Sequence, residues 1–455
     1  MVDATKQALL APGDWLAPSV TVPSGARARV EIPGSKSLTN RYLLLAALAD
    51  SPSIIHAPLH SRDSQLMVAA LTALGAHFEE IETGSAFGPD LRVTPLDFSA
   101  PSAREVSIDV GLAGTVMRFV PPVAALLPGT FSFDGDEHAR LRPMLPVIEA
   151  LRGLGVTVED AGRGALPFTV KSAGAVEVPE LTIDASGSSQ FVSALLLAAC
   201  RFKQGLVLRH QGGPVPSMPH IEMTLETMRE LGISVEFNGT DTWTVTPGGF
   251  PGFEVTVEPD LSNAGPFLVA AVATGASVTV PRWPHSTTQG GDYWRTILPF
   301  FGADVELTDG NLTVTGPAGG AASGLPGLEL DLAEAGELAP TLAALMALSP
   351  ATSVLSGIAH LRGHETDRLA ALTTEINRLG GSAQETPDGI RITAPATQGA
   401  LMRTYSDHRM ATAAAVIGLL VPGVVVENVE TTAKTLPNFT GLWQNMLNQW
   451  KEGAA

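Results

Sequence analysis

The sequence predicts a repeating α/β fold made of two similar halves. Three observations predict it. Apolar helical runs open six times behind a small or polar cluster. Between them, other helical patterns end in Leu-Gly or Phe-Gly and continue as alternating strands. The composition is 45% hydrophobic and only 16% charged over 455 residues, which calls for a large buried core shared among more than one domain.

The first run follows Pro33-Gly34-Ser35-Lys36-Ser37-Leu38-Thr39-Asn40-Arg41. Gly34 gives a turn, and Ser35 or Ser37 is suited to cap the helix that continues through Tyr42 to Ala49. Lys36 stands at the mouth of that helix and Arg41 on its first turns. A helix N-terminus already carries partial positive charge, so cations placed there do not serve the helix; they serve an anion. The later runs open in the same way. Ala113-Gly114-Thr115 precedes Met117 to Leu127, and Ser188-Ser189-Gln190 precedes Phe191 to Ala199. Ser262-Asn263-Ala264 precedes Phe267 to Ala273, Gly336-Glu337-Leu338 precedes Thr341 to Leu348, and Ser406-Asp407-His408 precedes Ala411 to Leu420. The steps between these starts are 78, 75, 74, 74 and 70 residues.

The second marker keeps the same period. Leu74-Gly75, Leu154-Gly155, Leu231-Gly232, Phe301-Gly302 and Leu379-Gly380 stand 80, 77, 70 and 78 residues apart. A glycine just past a helix end is the usual left-handed cap. Two independent markers with one period predict six units, each with an apolar helix, a strand, a more amphipathic helix and further strands. The apolar helices have little polar face and should be buried nearly all round. The halfway point falls near Glu258-Pro259.

Charge and special residues exclude several classes. A net charge of −18 argues against a nucleic-acid surface. The single cysteine, Cys200, lies in an apolar run, reads as inert core and forbids an intramolecular disulfide. Met1 to Trp15 lacks the pattern of a signal peptide, and the longest apolar run, Ala411 to Val426, is broken by Pro422-Gly423. A soluble cytoplasmic protein is expected. Gly-Ser-Lys-Ser lacks the upstream glycine spacing of a nucleotide phosphate loop. His360 and His364 are four apart, but no further His or Cys cluster completes a zinc site, so no metal is expected.

The chemistry is concentrated at the helix mouths. The first has Lys36, Ser37 and Arg41; the second has Thr115 and Arg118, followed by Arg140 and Arg142. The third has Ser188, Ser189 and Gln190, followed by Ser217 and His220. The fifth has Glu337, followed by His360, His364, Glu365 and Arg368; the sixth has His408 and Arg409, followed by Lys434. In an acidic chain this is a local reversal of charge, suited to more than one anion. Glu337 and Glu365, set among cations, are expected to handle protons.

These residues resemble a known family. Pro33 to Arg41, Ala113-Gly114-Thr115-Val116-Met117-Arg118, Ser188-Ser189-Gln190-Phe191, Glu365-Thr366-Asp367-Arg368, Asp407-His408-Arg409-Met410-Ala411 and Thr432-Ala433-Lys434-Thr435 are similar to the motifs of the 5-enolpyruvylshikimate-3-phosphate synthases, in order along the chain. The resemblance implies a two-domain inside-out α/β barrel of six βαβαββ repeats, three per domain, closing on its substrates. One domain would hold residues 33–258 with repeats one to three. The other would hold residues 1–32 plus 259–455, with the N-terminal strand segment and repeats four to six.

It also implies transfer of the enolpyruvyl group of phosphoenolpyruvate to the 5-hydroxyl of shikimate 3-phosphate, with release of phosphate. No metal or organic cofactor is implied, and the expected partners are those two small molecules, acting on a monomer. By motif match, Ser188, Ser189 and Ser217 would bind the phosphate of shikimate 3-phosphate, Arg41 its carboxylate, and Gln190 its ring. Ser37, His360 and His364 would complete that set. Arg142, Arg368, Arg409 and Lys434 would hold phosphoenolpyruvate, with Gly114, Thr115 and Gln190 beside it. Lys36 would touch both substrates. Glu337 would take the hydroxyl proton, and Lys36 and Glu365 would serve the methylene carbon. The chain departs from the commoner bacterial pattern at Leu112, Phe119, His220, Glu337, His360 and His364, the last replacing a lysine whose charge does not depend on ordinary pH.

Three other readings compete. The related enolpyruvyl transferase acting on UDP-N-acetylglucosamine uses a cysteine in the second repeat, where this chain has His138-Ala139-Arg140-Leu141-Arg142-Pro143. RNA 3′-phosphate cyclase needs a basic RNA surface. A non-catalytic anion-binding module would not need Lys36, Glu337 and Glu365 together.

Overall fold

The computed structural model describes residues 10–98 and 103–452, so the first nine residues of the Met1–Trp15 reading lie outside the described residues. The chain divides into two compact units, Pro33–Glu258 and Met1–Ile32 with Pro259–Ala455.

In the Pro33–Glu258 unit three apolar helices, Lys36–Leu48, Gly114–Ala124 and Gln190–Ala199, form the core. Every residue from Leu38 to Leu48 and from Phe191 to Ala199 is buried, so these helices have no solvent face. Three four-stranded sheets belong to the unit. Their strand orders are Glu254–Thr256, Ser53–His56, Asp90–Thr94, His77–Ile81; Arg104–Asp109, Pro128–Asp134, Phe168–Ala173, Thr157–Glu159; and Glu180–Ile183, Leu206–His210, Thr242–Val245, Val235–Phe237. In each sheet the first pair is parallel and the others antiparallel. An apolar helix bridges the parallel pair of the second and third sheets, as a βαβ crossover requires.

The first sheet differs in one respect. The strand that precedes the Lys36–Leu48 helix in the chain, Arg27–Arg29, pairs instead with Ser277–Pro281 of the other unit. Glu254–Thr256, which precedes the fourth helix, takes its place beside Ser53–His56. The first and fourth repeats have thus exchanged their leading strands at the two places where the chain passes between units.

The other unit is built around Leu261–Thr274, Ala339–Met346 and His408–Gly418, also buried almost throughout. Its sheets are Asp304–Thr308, Asn311–Thr315, Ser277–Pro281, Arg27–Arg29; Glu329–Asp331, Ser353–Ser356, Gly389–Ala394, Ser382–Thr386; and a three-stranded sheet of Trp15–Leu16, Val425–Val426 and Leu401–Met402. Each unit has its own hydrophobic core. Among the described residues, no helix is long and apolar enough to cross a membrane.

The five glycines read as left-handed caps have φ of 113°, 82°, 80°, 82° and 81° at Gly75, Gly155, Gly232, Gly302 and Gly380. All six apolar helices are present, with local corrections. The fourth begins at Leu261, one residue before the Ser262 cluster, because Asp260 caps it by accepting from Asn263 N at 3.0 Å. Gly336–Leu338 is a 3-10 turn leading into the fifth. The helical pattern before Phe301-Gly302 is broken into Gly290–Tyr293, Trp294–Ile297 and Leu298–Phe301, since Pro299 cannot continue a regular helix. The sixth unit is irregular: its sheet has three strands, one of them Trp15–Leu16 from near the chain start.

Candidate active site

In the Pro33–Glu258 unit the three helix mouths are linked by side chains. Ser35 caps the first helix, accepting from Leu38 N at 3.5 Å, and Lys36 is its first residue. Asn40 Nδ2 donates to Thr115 Oγ1 at 2.6 Å, which ties the first helix to the second. Arg41 reaches toward the third repeat: its Nε donates to Thr224 Oγ1 at 2.9 Å, Nη1 to the Ser37 carbonyl at 3.0 Å and Nη2 to the His220 carbonyl at 2.7 Å. Thr224 Oγ1 lies 2.9 Å from Ser193 Oγ on the third apolar helix. The Arg41 guanidinium also sits 5.5 Å from the centre of the buried Phe119 ring.

Arg41 is 1% exposed and has no carboxylate within 4 Å among the described residues. Burial pushes its pKa down to about 9. It remains charged at neutral pH, and that uncompensated charge is a standing demand for an anion.

Gly114, at the second mouth, is pressed by the groups around it. A Cβ there would lie 2.9 Å from Arg142 Nη2 and 3.1 Å from Gln190 Oε1. Arg142 Nη1 donates to the Leu112 carbonyl at 3.0 Å, while its buried Nε has no hydrogen-bond partner among the described residues. Gln190 Oε1 accepts from Arg118 Nη1 at 2.7 Å, and Arg118 lies over the Phe191 ring at 5.1 Å. At the third mouth, Ser188 Oγ accepts from Gln190 N at 3.3 Å, and Ser189 is buried. Ser217 takes the left-handed conformation with φ of 52°, a strained choice for serine that turns the chain into the Pro219–Glu230 helix. The structure thus brings Gly114, Arg142 and Gln190 together and places Arg41 against the Ser217–His220 turn. Lys36 Nζ lies 3.6 Å from Asp63 Oδ2.

The other unit holds an alternating cluster of charges. Arg368 opens the Arg368–Arg378 helix and is buried. Its Nε and Nη2 donate to the two carboxylate oxygens of Asp407 at 2.7 and 3.2 Å, and Nη2 also reaches Glu365 Oε2 at 3.0 Å. Glu365 Oε1 accepts from Lys434 Nζ at 2.8 Å. Asp407, fully buried, also caps the sixth apolar helix by accepting from Arg409 N at 2.9 Å. Burial alone would lower the Arg368 pKa; Asp407 and Glu365 outweigh it and raise the value. Arg409 shows the opposite balance, lowered by burial and then by neighbouring Arg368.

His364 is part of this cluster. Its Nδ1 lies 3.2 Å from Arg368 Nη1. A guanidinium can only donate, so Nδ1 is the acceptor in this contact. His360 lies beside it, ring centres 5.6 Å apart, and crowds Gly336, where a Cβ would be 2.7 Å from Nε2. Glu337, the next residue, accepts from Ser262 Oγ at 3.0 Å.

Sequence reasoning missed the supporting groups. Asp63, Asn40, Thr224 and Ser262 each hold a predicted site residue or its neighbour, yet three of them lie outside the quoted motifs and none carried a role. Asp407 stood inside a motif but without its clamp on Arg368. The readable signal for Asp63 was the capping sequence Ser61-Arg62-Asp63-Ser64 at the start of an amphipathic helix. Among the described residues no group of three or more His, Cys, Asp or Glu is placed to hold a metal.

Comparisons with known proteins agree with one another. Residues 20–443 match the family described as EPSP synthase (3-phosphoshikimate 1-carboxyvinyltransferase). The chain is 61% identical over 419 residues to a 3-phosphoshikimate 1-carboxyvinyltransferase of Kocuria rhizophila, covering 92% of this chain and 93% of that protein. Two solved structures of EPSP synthase from Acinetobacter baumannii share the fold, with TM-scores of 0.75 and 0.74 at 22% identity, each match covering 95% of this chain and 98% of the other. With its six apolar helices, its charged helix mouths and a match spanning nearly its whole length, the chain belongs to the EPSP synthase family.

Proposed function

We propose that the protein transfers the carboxyvinyl group of phosphoenolpyruvate to the 5-hydroxyl of shikimate 3-phosphate and releases inorganic phosphate. One observation carries the reading: Arg368, Arg409 and Lys434 are gathered with Glu365 and Asp407 at the start of two helices. The three cations suit an anion with both carboxylate and phosphate, and Glu365 is held among them where a proton must move. With Arg142, and with Gly114, Thr115 and Gln190 alongside, they form the proposed phosphoenolpyruvate set.

Shikimate 3-phosphate takes the remaining groups. Ser188, Ser189 and Ser217 donate to its phosphate, uncompensated Arg41 meets its carboxylate, and Gln190 lies against its ring. Lys36 and Ser37 stand beside these at the first helix mouth; His360, His364 and Glu337 come from the other unit. Glu337 accepts the 5-hydroxyl proton as O5 attacks C2 of phosphoenolpyruvate. Lys36 or Glu365 protonates C3, giving a tetrahedral carbon that carries both the new ether oxygen and the phosphate. Loss of a C3 proton then expels phosphate and restores the double bond. Water exclusion and preorganised charge supply the rate. The reading assigns no metal or organic cofactor, and a monomer acting on free small molecules in the cytoplasm.

Because C3 gains and loses a proton, product formed in D2O carries solvent deuterium in its methylene group. Proton NMR of the product reads this directly. A fully protonated methylene after turnover in D2O would contradict addition–elimination.

A further inference from the structure

Asp63 is 2% exposed, and its Oδ2 has no hydrogen-bond partner among the described residues. An unbonded buried carboxylate oxygen is costly unless a cation answers it. The cation within ion-pair distance is Lys36, its Nζ 3.6 Å from that oxygen. The neighbouring Arg62 is committed elsewhere, donating to both oxygens of Asp136 at 2.8 and 3.0 Å.

The backbone around Asp63 is fixed. Ser61 and Ser64 form a reciprocal capping box at the start of the Arg62–Leu74 helix, with Ser61 N donating to Ser64 Oγ at 2.8 Å. Asp63 lies in the first turn, where the helix dipole favours a negative charge. Lys36 is the first residue of a helix whose dipole disfavours its own charge. One helix start therefore presents a carboxylate to the ammonium of another.

We propose that Asp63 is the positioning residue for Lys36, holding its ammonium charged and aimed at the first helix mouth so that it enters the reaction as a donor. This rests on the reading of Lys36 given above. Asp63 does not itself touch the reacting atoms.

The test uses the full-length enzyme with Asp63→Asn, Asp63→Ala, Lys36→Met and the Lys36→Met/Asp63→Asn pair. The charge role expects Asp63→Asn and Asp63→Ala to lower kcat alike, tenfold or more, with KM for phosphoenolpyruvate moved less than threefold. A merely structural role expects the isosteric asparagine to keep activity that alanine loses. That split, or an Asp63→Asn kcat within twofold of wild type, would overturn the proposal. Melting temperatures keep the test open if neither variant turns over. The ion pair expects Asp63→Asn to lower Tm further in the wild type than in Lys36→Met, and equal drops overturn it. The reading of Lys36 is judged separately: Lys36→Met within tenfold of wild type would end that reading whatever Asp63 does.

Discussion

Arg41 combines a structural and a functional demand in one side chain. Its three donor positions meet Thr224 Oγ1, the Ser37 carbonyl and the His220 carbonyl, a fork that a lysine ammonium cannot reproduce. Arg41→Lys should therefore lower stability by roughly 1–3 kcal/mol, since at least one buried acceptor is left unpaired. Urea denaturation reads this, and an unchanged midpoint would count against the fork. Lys36→Met addresses chemistry instead: kcat should fall about 10²–10⁴-fold, the usual size of a general-acid term, with the far-ultraviolet spectrum unchanged. His56 supplies a pH dependence. Its ring nitrogens contact Asp90 at 2.5 Å and Glu254 at 2.9 Å, and hydrogen bonding to Asp90 first, then Glu254, raises its pKa. A raised pKa means the stabilisation is complete below the unfolded value near ~6.5 and is lost as pH climbs through the folded value. Melting temperature from pH 6 upward should thus fall more steeply in wild type than in His56→Asn; parallel curves would refute it. At this scale the sequence told much about which residues carry charge and little about who holds them. Arg41 was readable from its motif, whereas Thr224 and Asp63 are fixed by contacts 183 and 27 positions away, which local pattern cannot encode.

The helix mouth is the element that recurs, and its six uses were legible because apolar runs and glycine caps are local features. The details were less legible where tertiary packing chose the boundary. Asp260 rather than the Ser262 cluster caps the fourth helix, and this frees Ser262 Oγ to bond Glu337. The contact between His364 Nδ1 and Arg368 Nη1 was also out of reach, because it depends on Arg368, four residues later, folding back on the ring. Gly114 makes the element testable. Its missing side chain lets Arg142 and Gln190 close over the helix start, and a methyl group would meet them at 2.9 and 3.1 Å. Gly114→Ala should raise KM for phosphoenolpyruvate about tenfold, which is ~1.4 kcal/mol, while affinity for shikimate 3-phosphate changes much less. Steady-state kinetics with each substrate varied in turn would show this, and an equal loss for both would contradict it.

At the scale of the whole chain, the period of about 75 residues exposed the repeat but hid the exchange of leading strands. Arg27–Arg29 and Glu254–Thr256 occupy equivalent positions in sequence, and nothing local says which sheet each will join. The exchange makes Pro33–Glu258 a continuous segment with its own core and three complete sheets. A fragment of residues 33–258 should fold cooperatively alone. One ending at residue 252 should not, because the first sheet loses the strand beside Ser53–His56 and His56 loses Glu254. Circular dichroism melts of the two fragments decide this, and equal cooperativity would contradict it. The groups proposed for the reaction come from both segments of the sequence, Lys36 and Arg142 from residues 33–258 and Glu337, Glu365, Arg368, Arg409 and Lys434 from residues 259–455, so the full chain is the protein to assay. The most direct measurement is therefore phosphate release by the purified full-length protein, with phosphoenolpyruvate and shikimate 3-phosphate supplied singly and together and without added metal. Saturable release only when both are present is the expected result. No release with both, or release from phosphoenolpyruvate alone at the same rate, would contradict the account.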